Sequence, residues 1–108
     1  MKDLPKTNLT DLEAQLQSGR YILFFTADWC PDCRFIKPAM PEIEAEYADF
    51  TFIKVDRDEN IDLAAEMGIM GIPSFVAYQD GQEIGRFVNK DRKTKQEVET
   101  FINGLNKN

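Results

Sequence analysis

The stretch Tyr21-Ile22-Leu23-Phe24-Phe25-Thr26-Ala27-Asp28-Trp29-Cys30-Pro31-Asp32-Cys33 decides how this chain is read. Its first half is an almost unbroken apolar run, the pattern of a strand whose sheet is covered by helices on both faces. Its second half holds the chain's two cysteines, at the junction of that strand with a helix. Thiols at this spacing can close into a disulfide and reopen with little movement of the backbone. At a helix start the first sulfur lies near unpaired N–H groups and the positive end of the helix dipole, which favours its thiolate. The segment points to redox chemistry. A structural crosslink is the competing reading, but so small a loop would restrict the unfolded chain only weakly.

Outward from this stretch, helices and strands alternate. Thr10-Asp11-Leu12-Glu13 has capping-box spacing, with Thr10 as cap, and Leu12 and Leu16 share a face of the helix that follows. Gly19 is a natural terminator. After Cys30 a helix is expected to reach about Tyr47, with Phe35, Ile36, Ala39, Met40 and Ile43 as its apolar stripe. Pro38 predicts a bend within it rather than two separate helices. Phe50-Thr51-Phe52-Ile53-Lys54-Val55-Asp56 reads as a strand, completing a βαβ unit and hence a parallel pair. A shorter helix spans about Ile61 to Met67 and stops at Gly68. Gly71-Ile72-Pro73-Ser74 leads into the strand Phe75-Val76-Ala77-Tyr78. Asp80-Gly81 is a turn signal, and Glu83 to Val88 can return antiparallel. A second capping box, Thr94-Lys95-Gln96-Glu97, opens a last helix whose stripe is Val98, Phe101, Ile102 and Leu105.

The chain has 108 residues, 43% of them hydrophobic and eight of them Phe, enough for one domain, residues 1–108, with a packed core and no staples. A net charge of −6 argues against a nucleic-acid partner. Met1-Lys2-Asp3-Leu4-Pro5-Lys6 has no apolar signal-peptide core, and no window approaches a membrane span. The expectation is a soluble cytoplasmic protein, monomeric by default, in a compartment where a disulfide is transient and catalytic. With two cysteines and no histidine, four thiolates for zinc or an iron–sulfur cluster would require a dimer sharing both pairs. No metal is expected, and no cofactor beyond the redox-active Cys30–Cys33 pair.

Trp29-Cys30-Pro31-Asp32-Cys33 after a hydrophobic strand, Pro38 five residues past the second cysteine, Gly71-Ile72-Pro73-Ser74 and the Asp80-Gly81 hairpin together resemble the thioredoxin family. The resemblance covers nearly the whole chain. It implies a thioredoxin-like α/β fold, a central mixed β-sheet of four to five strands flanked by helices on both faces. It also implies that Cys30 is the exposed attacking sulfur and Cys33 the buried resolving one. Disulfide-containing proteins are then the substrates, reduced through a mixed disulfide, with thioredoxin reductase drawing on NADPH as electron donor. By the same resemblance the Ile72–Pro73 bond is cis and packs beside the cysteines, leaving the Ile72 backbone free to pair with an extended substrate segment.

Departures from the family accompany the matches. Typical thioredoxins carry a buried carboxylate where this chain has Phe24, so proton handling at Cys33 must come from water or another residue. Lys54 matches the family's lysine near that carboxylate and has lost its usual partner. Pro31-Asp32 replaces the usual Gly-Pro. Pro31 suits a first helical turn, while Asp32 opposes the thiolate and Arg34 favours it. Asn89 stands where a glycine is usual, and its side chain could narrow the groove. Lys90, Arg92, Lys93 and Lys95 read as a solvated loop that could favour acidic partners. Trp29, Met70 and Ile72 are candidates for an apolar collar around Cys30, although Met70 could equally enter the core beside Met67. The functional reading is a thiol–disulfide oxidoreductase; a protein-binding adaptor without turnover is the alternative that the lost acid keeps open.

Overall fold

The computed structural model describes residues 1–105. Its strands are β1 (Lys2–Asp3), β2 (Arg20–Thr26), β3 (Thr51–Asp56), β4 (Ser74–Gln79) and β5 (Gln82–Phe87). Its α-helices are α1 (Leu9–Gln15), α2 (Pro31–Ile36), α3 (Met40–Glu46), α4 (Ile61–Glu66) and α5 (Lys95–Leu105). The strands form one five-stranded sheet in the order β1-β3-β2-β4-β5. β3 is parallel to both β1 and β2, whereas β4 is antiparallel to β2 and to β5. The parallel β2–β3 pair is the one the βαβ spacing called for, and the mixed sheet is the one the family resemblance implied.

Alternation along β2 divides the core in two. Leu23 and Phe25 face a layer with Leu12 of α1, Leu16 at its C-cap, and Leu63 and Ala64 of α4. Ile22 and Phe24 face Ile36, Met40, Ile43, Val98 and Ile102 from α2, α3 and α5. Helices therefore cover both faces, and β2 is buried from Ile22 to Thr26. At the β4–β5 connection Asp80 has φ +50° and Gly81 φ +86°, the positive pair that a two-residue hairpin loop of matching twist requires.

Several sequence expectations need correction. Thr10 does not cap α1. Asn8 does, its side chain accepting from the Asp11 N–H at 2.8 Å, so that Thr10 lies inside the first turn. The region after Cys30 is two α-helices rather than one bent helix, because a 3₁₀ turn at Lys37–Ala39, with Pro38 in it, separates α2 from α3. Pro38 lacks the N–H that an unbroken α-helix would need there. Phe35 leaves the expected core stripe and is 48% exposed. Strand β1 was not foreseen; pairing with Ile53 and Lys54 holds it. The second capping box is present as read: the Thr94 hydroxyl accepts from the Glu97 N–H and the Glu97 carboxylate accepts from the Thr94 N–H. Among the described residues, no helix is long and apolar enough to cross a membrane.

Candidate active site

β2 delivers Cys30 to the start of α2. Cys30 is the N-cap residue, its sulfur accepting the Cys33 N–H at 3.2 Å, and Pro31 occupies the first helical position, where its missing N–H leaves no bond unmade. Both cysteines are free thiols. Cys30 was expected to be exposed. Instead it is 4% exposed against 1% for Cys33, so the order of access holds but both cysteines are buried.

The Ile72–Pro73 bond is cis. It brings the Ile72 carbonyl oxygen to 3.9 Å from Cys30 Sγ. Around this point the rim is apolar and uneven. Trp29 is 56% exposed and Met70 87%, whereas Ile72 and Met67 are buried. Met70 therefore lies on the surface and does not enter the core beside Met67. The Trp29 indole N–H donates to Asp58 Oδ2 at 2.6 Å, which fixes the ring beside the cysteine.

Burial raises the Cys33 pKa to about 11, a hydrogen bond with Cys30 adding to the effect, while the Thr26 hydroxyl and the Ala27 backbone pull it down. A small cavity of about 80 Å³ lies behind this thiol, lined by Thr26, Asp28, Cys33, Arg34, Lys37 and Lys54 among others. Lys54 thus reaches the same cavity as Cys33, and its ammonium lies 3.6 Å from Asp3 of β1. Phe24 packs away from it in the apolar layer, its ring stacked on Phe75 at 5.0 Å between centroids.

On the other side of the cysteines, the loop between β5 and α5 closes on α2. Arg92 Nε lies 3.0 Å from Asp32 Oδ1, and its guanidinium lies over the Phe35 ring at 4.3 Å. Asp32 therefore faces a cation, which offsets the charge expected to oppose the thiolate. Asn89 does not obstruct the groove with its side chain, because Oδ1 is taken up inside the loop by the Lys93 ammonium at 2.8 Å and the Asp91 N–H at 2.9 Å. The solvated-loop reading fails for Lys93, which is fully buried. Its ammonium donates to Asn89 O, Asn89 Oδ1 and Asp91 O, and lies over the Phe87 ring. Lys90 and Arg92 are exposed as expected, and Lys95 pairs with Glu42 of α3. Nothing in the local pattern marked Lys93, whose burial comes from the loop folding over its own ammonium. Thr26 was readable: it is a polar residue at an inward position of an apolar strand.

Burial holds the Lys93 pKa below its ordinary value, against the pull of Asp91 and Glu97. An unfolded chain then binds this proton more tightly than the folded one, so the Lys93 contribution to stability rises as pH rises through the folded value toward 10.5. A Lys93→Met variant removes a costly buried charge along with its hydrogen bonds, and at pH 7 we expect it within about 1 kcal/mol of the parent. Lys93→Ala also loses the packed stem and should cost about 2 kcal/mol. Urea titrations at pH 7 and pH 10 check both: the parent should gain on Lys93→Met at the higher pH, and parallel pH profiles would contradict the assignment.

A sequence profile of the thioredoxin family matches residues 4–104. The chain belongs to the thioredoxin family. Thioredoxin X, chloroplastic, from Arabidopsis thaliana is 37% identical over 92 residues, a match that spans 83% of this chain and 50% of that protein. The chain thus corresponds to half the length of this curated relative. A thioredoxin of Staphylococcus aureus is 33% identical over 84 residues, spanning 77% of this chain and 81% of its own. Among solved structures, oxidized mitochondrial thioredoxin 3 from Saccharomyces cerevisiae superposes with a TM-score of 0.77 at 28% identity, over 95% of this chain and 94% of that one. The WCxxC strand–helix junction and the cis-proline rim are thus set in a thioredoxin fold.

Proposed function

We propose that the protein is a thiol–disulfide oxidoreductase that reduces disulfides of other proteins with Cys30 and Cys33. The observation that carries this reading is a pair of free thiols on the first turn of α2, with Cys30 Sγ 3.9 Å from the carbonyl of a cis-proline bond. Cys30, as thiolate, attacks one sulfur of the substrate disulfide; that bond breaks, the other substrate sulfur leaves as a thiolate, and a mixed disulfide remains. Cys33 then attacks the Cys30 sulfur, the substrate leaves with its second thiol, and the Cys30–Cys33 disulfide closes. Two electrons have passed to the substrate. A separate reductant must reopen the pair, and a thioredoxin reductase fits that role.

Around the sulfurs, Trp29, Met70, Ile72 and Pro73 offer an apolar rim on which an extended substrate segment can lie, pairing with the Ile72 backbone. Pro31 and Asp32 shape the helix start, Asp32 held by Arg92. On this reading residues 1–108 act as a single domain and as a monomer, in a reducing compartment. The cytoplasm is one such compartment, although named relatives include chloroplastic and mitochondrial thioredoxins. Similarity to thioredoxins favours turnover over a purely adaptor role.

Trapping with Cys33→Ser tests the proposal. This variant should accumulate mixed disulfides that dithiothreitol releases, while Cys30→Ser should trap none. Cys30→Ser should also lose about a thousandfold or more of insulin-reducing activity, as expected when a covalent nucleophile is removed. Trapping by Cys30→Ser instead would exchange the two roles. Failure of the parent protein to accelerate insulin reduction would leave only an adaptor.

A further inference from the structure

Cys33 must lose a proton before it can attack, because the thiolate is the nucleophile and burial favours the thiol. The carboxylate that thioredoxins ordinarily carry for this step is here Phe24, sealed against Phe75 in the apolar layer. Two residues further along β2, Thr26 points to the same side of the sheet and lines the cavity behind Cys33. That cavity, about 80 Å³, has room for more than one water. Asp28, an exposed residue, also lines it and so stands at its opening to solvent.

We propose that Thr26 is the positioning residue of the resolving step and that this cavity carries the Cys33 proton outward, with the Asp28 carboxylate as its acceptor. The inference rests on the oxidoreductase reading above. In the step, Cys33 S–H yields its proton through cavity water to Asp28, and the Thr26 hydroxyl donates to the sulfur as negative charge grows there. The Cys33 sulfur bonds to the Cys30 sulfur of the mixed disulfide, whose bond to the substrate breaks, and the electron pair leaves on the substrate thiolate. Asp28 then returns its proton to solvent. Arg34, Lys37 and Lys54 line the same cavity and favour the developing anion. Cys30 on the same helical turn and Lys93 from the loop before α5 also act on the sulfur.

A chromogenic aromatic disulfide, 5,5′-dithiobis(2-nitrobenzoate), separates the two steps in one stopped-flow trace. Attack by Cys30 releases the first coloured thiolate and closure by Cys33 releases the second. Thr26→Val should slow the second phase about tenfold near neutral pH, with the first phase within twofold of the parent, a change in scale with one lost hydrogen bond. Thr26→Ser should restore it. Asp28→Asn discriminates further: as a mere neighbouring charge its removal would ease thiolate formation and speed the second phase, whereas as acceptor its removal slows that phase and moves its pH profile to higher pH. If Thr26→Val fails to fold, Asp28→Asn, at an exposed site, still decides. A first phase intact with a second phase indifferent to Thr26→Val, or accelerated by Asp28→Asn, overturns this inference alone. Absence of the first phase in the parent protein would instead overturn the oxidoreductase reading.

Discussion

A Phe24→Asp variant should lose about 5 kcal/mol of stability at pH 7, a large share of what a domain of this size possesses. The ring is fully buried and stacked on Phe75, with Ile36, Met40 and Ile43 in the same layer. Truncating a buried Phe alone costs about 3–5 kcal/mol, and the ring pair adds about 1 kcal/mol. A carboxylate placed there pays a further desolvation cost that Lys54, its partner in register on β3, offsets only in part, because that ammonium is directed toward Asp3. Burial would raise the new carboxyl group's pKa above its unfolded value. The folded state then binds the proton more tightly, so the variant's deficit is smallest below pH 4 and grows as pH rises through the folded value. Denaturant titrations of parent and variant at pH 7 and pH 4 measure this, with Phe24→Leu, expected to lose about 1 kcal/mol, as the size control. A variant within about 1 kcal/mol of the parent at pH 7 would show that this position still accommodates the family's acid. The expected result means instead that surrounding apolar residues have closed the site, and proton handling had to move elsewhere.

What the sequence disclosed about this fold follows from where local signals and tertiary forces agree. Ile22 to Phe25 is apolar at every position because both faces of β2 are covered, so burial and pattern coincide. Thr94 and Glu97 cap α5 through bonds three residues apart, wholly local and hence readable. At α1 two cap candidates compete. Thr10 and Glu13 satisfy the spacing, but Asn8 and Asp11 also bond to one another, and the helix phase that buries Leu12 and Leu16 goes with the Asn8 start. Phe35 has core periodicity, yet Arg92, far along the chain, covers its ring instead. β1 has no apolar alternation to reveal it; backbone pairing with β3 holds it, and such pairing leaves no local trace.

The site divides along the same line. Trp29, Cys30, Pro31, Asp32 and Cys33 are contiguous, so their meeting is local, whereas the approach of Ile72–Pro73 to Cys30 was implied only by the family resemblance. Lys93 is placed by a loop that folds back, and Thr26, legible as a polar residue in an apolar strand, and Asp28 line a cavity that forms only in three dimensions. A buried lysine is rare enough that no charge count would assign one to the interior. Its three acceptors come from Asn89 and Asp91, which are exposed residues in an ordinary polar stretch.

Gly71→Ala should cost about 3 kcal/mol and most of the activity, although Ala differs from Gly by one methyl group. A Cβ at this position would stand 2.5 Å from the Lys90 nitrogen, 2.6 Å from the Asn89 carbonyl carbon and 2.6 Å from Lys90 Cα. All three are backbone atoms, so no side-chain rotation relieves the overlap, and one of the two segments must move. Neither moves freely. The Gly71 carbonyl accepts the Ser74 hydroxyl at 2.6 Å just before β4, while the opposing loop is pinned by Lys93 from within and by Arg92 to Asp32. Overpacking between held elements costs about 1–3 kcal/mol, and a backbone-to-backbone overlap belongs at the upper end. For a chain of this length that corresponds to a fall of roughly 10–20 °C in Tm. The separation that Gly71 permits also sets the rim beside Ile72 and Pro73, so displacing either segment should weaken substrate capture at Cys30 before it affects the thiols themselves. Gly104→Ala supplies the contrast: it lies exposed in α5 with nothing within 4 Å of an added Cβ, and the replacement should stabilise by about 0.5–1 kcal/mol. Thermal melts with insulin-reduction rates on the two variants check the pair. Equal melting temperatures for Gly71→Ala and the parent would mean that the loop yields at little cost and does not hold the rim in place.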